Sequence, residues 1–118
     1  MNILLAAILA FTPLKPAVAQ NIAFKAQTDK SYTGIASYYS NGHRTASGQR
    51  YNKHELTAAH KHIKFGTRLT VKNLNNNRVV EVVVNDRIPR SNKRLVDLSQ
   101  AAAKKIDCIG ICSVEIYH

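Results

Sequence analysis

Residues 65–89 read FGTRLTVKNLNNNRVVEVVVNDRIP, and their pattern decides the fold class. Leu69, Val71 and Leu74 are apolar, and Arg68, Thr70 and Lys72 alternate with the first two, the two-residue period of a strand with one buried face. Asn75, Asn76 and Asn77 then supply turn residues. Residues 78–85, RVVEVVVN, are rich in the β-branched side chains that suit a pleated sheet. Two strands separated by a short Asn-rich turn predict a hairpin.

Working outward, the same signals recur. Toward the N-terminus, residues 33–40, TGIASYYS, predict an aromatic-rich strand that runs into the turn pair Asn41-Gly42, followed by a polar loop over 43–52. Toward the C-terminus, residues 95–98, LVDL, form a short apolar piece. Ser99 is placed to cap a helix over 100–105, with Lys104 and Lys105 at its negative end. Residues 113–117, SVEIY, predict a closing strand. Several short strands, one small helix and polar connections make the chain mainly β, a compact barrel or sandwich.

At 118 residues the chain holds one domain. Residues 3–11, ILLAAILAF, are too short to span a bilayer, and Ala17-Val18-Ala19 after them carries the small residues read by a signal peptidase. Residues 1–19 are therefore expected to be a cleaved leader, 20–31 a flexible lead-in and 32–118 the domain. A periplasmic or secreted protein follows, with no integral span once the leader is removed. Export makes a disulfide between Cys108 and Cys112 the favoured reading, Gly110 allowing the tight turn between them; two reduced thiols are the alternative. The spacing is neither that of a redox C-x-x-C nor of a zinc site, so no metal or organic cofactor is expected.

The formal net charge is +10, and loss of the leader removes only Lys15 from the basic side. Such a surplus favours a polyanionic partner. The basic residues are scattered and Trp is absent, so the chain lacks the basic stripe with interleaved aromatics that stacks bases, and no nucleic-acid partner is expected.

Residue identities go further than periodicity. ASYYS at 36–40, RTASGQRYN at 44–52, LTAAH at 56–60, FGTRLTVKNL at 65–74, VVVNDRIP at 82–89 and RLVDLSQAAAKKI at 94–106 closely resemble, in order and spacing, the rare lipoprotein A-like family. That resemblance implies a six-stranded double-psi β-barrel with one or two short helices. It also implies an endolytic lytic transglycosylase that cuts peptide-free glycan strands of peptidoglycan between N-acetylmuramic acid (MurNAc) and N-acetylglucosamine (GlcNAc), leaving 1,6-anhydro ends; a monomer is expected. A non-catalytic, expansin-like peptidoglycan-binding barrel is the alternative.

Breaking a glycosidic bond requires an acid for the departing oxygen and a base for the nucleophile. Asp86 matches the aspartate of the family's N-D-R-G-P motif and is the candidate for both tasks. His60, the last residue of LTAAH, is expected either to orient Asp86 and stabilise charge or to serve as a structural hydrogen-bonder. Gln49 stands where many members of the family have a glutamate, and an amide cannot ionise. Glu55 is a weaker substitute for that carboxylate. Tyr39, Arg44, Thr45, Ser47, Asn85 and Arg87 are candidate substrate contacts, with Arg90 a further basic group; of Tyr38 and Tyr39 one is expected to face the groove and the other to pack in the core. Asp97, in LVDLS, is the other carboxylate within a family motif; bonding backbone amides at the helix start is its favoured reading and catalysis the alternative. Ile88 replaces the motif's glycine, a strained choice if that turn requires positive φ.

Overall fold

The computed structural model describes residues 30–40, 42 and 44–118; the expected leader and most of the lead-in lie outside this set. The chain runs β1 (Ser31–Tyr39), β2 (Thr57–His60), β3 (Arg68–Asn73), β4 (Val79–Arg87), β5 (Val96–Ser99), α1 (Gln100–Lys105) and β6 (Cys112–Tyr117). The six strands close into a barrel in the order β1-β5-β2-β4-β3-β6, with β1 pairing antiparallel to β6 at the seam. The β1–β5 and β2–β4 pairs are parallel and the others antiparallel. This is the double-psi β-barrel.

The hairpin forms as the alternation predicts, Leu69 opposite Val82 and Val71 opposite Val80. Asn77, at φ 63°, makes the turn, a conformation that Asn tolerates better than most residues. The first strand of the pair begins at Arg68 rather than Phe65, and Leu74 falls beyond its end, 41% exposed. Leu69, Val71, Val82, Val84, Val96, Leu98, Val114 and Ile116 fill the interior with no exposed surface, each such side chain contributing about 1.5–3 kcal/mol of burial. Helix α1 adds Ala102, Ala103 and Ile106 to the same core. Its cap is as expected: the Ser99 side chain accepts from the Ala102 amide, and Lys104 and Lys105 occupy the last turn.

One irregularity positions the site. Along β4, Val80, Val82 and Val84 point inward, and strict alternation would carry Asp86 inward after them. Between β2 and β4 the register shifts: Ala58 lies opposite Val84, but Ala59 lies opposite Asp86. Asn85 is the extra residue of a β-bulge, and the bulge takes Asp86 out of the core-facing series. Asp86 is accordingly half-buried beside Ala59.

Candidate active site

On the other side of Ala59, β5 places Asp97 opposite the same residue, and β1 places Ser37 opposite Asp97. Ser37, Asp97, Ala59 and Asp86 thus form one row across four neighbouring strands, with a carboxyl on each side of an alanine.

The loop between β1 and β2 clamps Asp86 from above. The Ala46 amide donates to Asp86 Oδ1 at 2.8 Å, and the Arg87 amide donates to the same oxygen at 2.8 Å. Oδ2 is the oxygen that neither amide engages. The loop is braced internally: the Arg44 guanidinium donates to the Gly48 carbonyl, the Thr45 hydroxyl donates to the Gln49 carbonyl, and Thr45 Oγ1 and Ser47 Oγ lie 2.9 Å apart. It is stapled to the bulge twice, through the Ser47 amide on the Asn85 carbonyl and the Asn85 side-chain amide on Gln49 Oε1. Thr45 is buried, and its hydroxyl braces the loop. Asn85 is buried too, and among the described residues no donor reaches its Oδ1.

Tyr39 enters from β1. Its ring packs against that of Tyr51, 4.4 Å between centres and tilted by 31°, and the Tyr51 hydroxyl donates to the Tyr39 carbonyl and accepts from the Gln100 amide. Burial, then the nearby charge of Asp86, raises the Tyr39 pKa far above the usual phenol range, with smaller effects from Tyr51, Asp97 and a hydrogen bond to Asp86. Tyr39 therefore stays protonated beside the carboxylate. Tyr38 does not pack in the core as expected; it is 39% exposed and lines a hollow with Gln100, Ala103, Lys104 and Cys108. It is close to the end of the strand, where the interior no longer encloses it.

His60 is 4% exposed, and its Nδ1 accepts from the amides of His62 and Ile63 at 3.2 and 3.1 Å. Burial first, then the charges of His62, His118, Arg87 and Lys61, push its pKa down to about 4. At neutral pH the ring is neutral, with its proton on Nε2. No hydrogen bond joins the ring to Asp86; His60 shapes the turn that follows β2, and its carbonyl receives the Arg87 guanidinium and the Ile88 amide.

Arg87 turns away from the Asp86 carboxylate. Its guanidinium lies 4.0 Å over the Phe65 ring and donates to two main-chain carbonyls, His60 and Asp86. Glu55 is exposed, and its main-chain carbonyl accepts from the Ser99 hydroxyl. Ile88 is not strained: among the described residues only Asn77 and Asp107 combine a side chain with positive φ, and Ile88 buries its side chain. Asp97 corrects the sequence reading. Ser99 takes the helix cap, and the Asp97 carboxyl instead accepts from the Ser37 hydroxyl at 2.8 Å, which in turn accepts from Arg94. Cys108 and Cys112 are joined in a disulfide, closed over Gly110 at φ 76°.

A family model described as lytic transglycolase matches residues 31–117, which is the whole barrel from the first strand to the last. The chain belongs to this family. Among curated relatives, the endolytic peptidoglycan transglycosylase RlpA of Haemophilus influenzae is 52% identical over 94 residues, 74% of this chain and 33% of its own length. The protein of the same name from Campylobacter jejuni is 53% identical over 79 residues, 64% of this chain and 29% of its own length. The chain thus spans about a third of the length of these relatives. Among solved structures, a Streptomyces papain inhibitor superposes with a TM-score of 0.59 at 23% identity, covering 75% of this chain and 94% of the inhibitor. An expansin from Clavibacter michiganensis gives 0.57 at 21%, covering 74% and 49%. At these identities the two structures speak to the barrel alone. Among the described residues no helix is long and apolar enough to cross a membrane, and no group of His, Cys, Asp and Glu is arranged to hold a metal ion.

Proposed function

We propose that this chain is a cell-envelope lytic transglycosylase that cuts peptide-free glycan strands of peptidoglycan between MurNAc and GlcNAc. The observation that carries the reading is the β-bulge that lifts Asp86 out of the core and presents it to two backbone amides beside Tyr39. An internal β-strand has no packing reason to spend a bulge on a carboxylate; a reaction centre does. The names of the relatives favour peptidoglycan as the substrate.

In the proposed reaction the Asp86 carboxyl gives its proton to the bridging oxygen as the bond from C1 of MurNAc breaks. The same group, now a carboxylate, takes the proton of the MurNAc 6-hydroxyl as that oxygen closes on C1. One proton leaves Asp86 and one returns, no water is consumed, and the products are a GlcNAc 4-hydroxyl and a 1,6-anhydro ring. Tyr39 donates to the carboxylate between the two steps, while the Ala46 and Arg87 amides hold its orientation. His60 acts as a positioning residue by shaping the turn beside Arg87. An open cleft of about 470 Å³ lined by Gly42, Arg44, Arg50 and Tyr51 gives an anionic glycan a basic path away from the Tyr39–Tyr51 pair. Residues 1–19 are proposed as the leader that delivers the barrel to the periplasm or exterior.

The test is to incubate the purified barrel with peptide-free glycan and follow the products by mass spectrometry, with Gln49→Glu in parallel. Anhydro-ended fragments from the unaltered protein support the reading. Their absence there and appearance only with Gln49→Glu would make the natural chain a glycan binder.

A further inference from the structure

The loop between α1 and β6 carries the most exposed large apolar side chains of the described residues: Ile109 is 82% exposed and Ile111 61%. Cys108 and Cys112, at the two ends of the loop, are buried in the core and joined in the disulfide, so the isoleucines stand out from a covalently closed base. They are not isolated. Ser113 lies opposite Ile35 on β1, its carbonyl accepts from the Leu74 amide, and both Ile35 and Leu74 are exposed. Ile111 precedes Ser113 by two residues, the spacing that keeps it on their side of the sheet. On the other flank Ile109 shares a hollow with Tyr38. One end of the barrel thus presents a projecting apolar patch, the kind of surface that marks an interaction site.

The rim of the patch is basic. Lys104 lines the same hollow as Ile109, and Lys105 follows it in the last turn of α1. Exposed Lys93 and Arg94 lead into Leu95, whose amide donates to the Ile35 carbonyl. Asp107 is the one acidic residue between α1 and β6. This charge narrows what the loop can meet. Two copies packed patch to patch would bring their lysines together, and the formal net charge of +10 opposes that contact. The core of a protein interface is depleted in lysine. A bilayer with anionic headgroups suits both features, because the apolar tips enter below the headgroups while the lysines stay level with them.

We propose that the cystine loop, with Ile109 and Ile111 at its tip, docks the barrel on an anionic phospholipid surface. The disulfide fixes the loop before contact, so less ordering entropy opposes insertion. None of these apolar residues belongs to the clamp on Asp86, so the proposal stands apart from the reaction described above.

The test uses residues 30–118, which hold the whole closed barrel and its core, so that the apolar run of residues 3–11 takes no part. Sedimentation with vesicles of phosphatidylglycerol and phosphatidylethanolamine, and with vesicles of phosphatidylcholine alone, measures the partition into each. The barrel is expected to bind the anionic vesicles and to favour them over phosphatidylcholine. Ile109→Ser combined with Ile111→Ser is expected to lower partition onto the anionic vesicles about 10- to 100-fold, for two partly inserted side chains. Thermal unfolding stays unchanged, since neither side chain is in the core. Lys104→Gln combined with Lys105→Gln is expected to lower partition about 10-fold or more. No binding by the unaltered barrel, equal binding to both lipid compositions, or a double-serine variant that binds as tightly as the unaltered barrel overturns the proposal. Sedimentation equilibrium covers the other occupant: self-association that the serine variant abolishes, without vesicle binding, assigns the patch to a second copy and overturns it too.

Discussion

Replacing His60 by Asn is predicted to flatten the pH dependence of stability while leaving the fold in place. The imidazole Nδ1 accepts two amide hydrogens, and the Asn side-chain oxygen stands near the same position, so the turn keeps its acceptor. The ring's pKa is about 4 in the fold against 6.5 in the unfolded chain. Between those values the unfolded state binds the proton and the folded state refuses it, so stability is full above pH 6.5, falls as pH drops through the window and is fully lost below 4. From pH 7 to pH 5 the shift corresponds to about 2 kcal/mol. Part of it comes from solvated charges on His62 and Lys61, which brings the expectation to about 1 kcal/mol. That is about 4–8 °C in Tm for a domain of this size. Asp97 works in the opposite direction, its raised pKa adding stability as pH falls, but it is common to both proteins and cancels in their difference. Urea unfolding at pH 7 and pH 5 measures the four stabilities. His60→Ala, which leaves the His62 and Ile63 amides without their acceptor, should lose about 2 kcal/mol or more at both pH values. An unaltered chain and a His60→Asn variant with the same pH slope, or a His60→Asn variant as unstable at pH 7 as His60→Ala, would refute the reasoning.

Tyr39→Phe removes the hydroxyl held beside Asp86 and should slow glycan cleavage about 10-fold, the cost of one hydrogen bond to a charged group, measured as initial rate at fixed glycan. Gly34→Ala would bring a Cβ within 2.7 Å of the Leu95 Cβ; with two chain segments in contact, a loss of about 1–3 kcal/mol is expected in denaturant titration. Replacing both Cys108 and Cys112 by Ser opens a short loop, and the chain-entropy argument gives about 2 kcal/mol of destabilisation, readable as a lower urea midpoint.

The hairpin, the helix with its Ser99 cap and the closing strand were legible because each rests on local periodicity or capping. The order in which six strands close is not local, and it became legible only through residue identities matched in series. Asp86 could be singled out from its motif, but not why it leaves the core: alternation along β4 points it inward, and the register shift is set by its pairing with β2. The same limit applies to Asp97, which the motif singles out without deciding its role. From sequence, an acid two residues before a capping serine looks like part of the cap; only the pairing of β5 with β1 and β2 shows it in a row with Ser37 and Asp86. The task of Tyr51 is not legible from its motif, because its partners, Tyr39 and Gln100, come from distant elements.

The most direct test of Asp86 as the single acid and base is cleavage of peptide-free glycan in ¹⁸O-water by the unaltered chain and by Asp86→Asn. Expected are 1,6-anhydro ends without ¹⁸O from the unaltered chain, and a rate lower by about 100- to 10,000-fold for Asp86→Asn, the range for loss of a general acid–base group. Reducing ends that carry ¹⁸O, or equal rates from the two proteins, would contradict it.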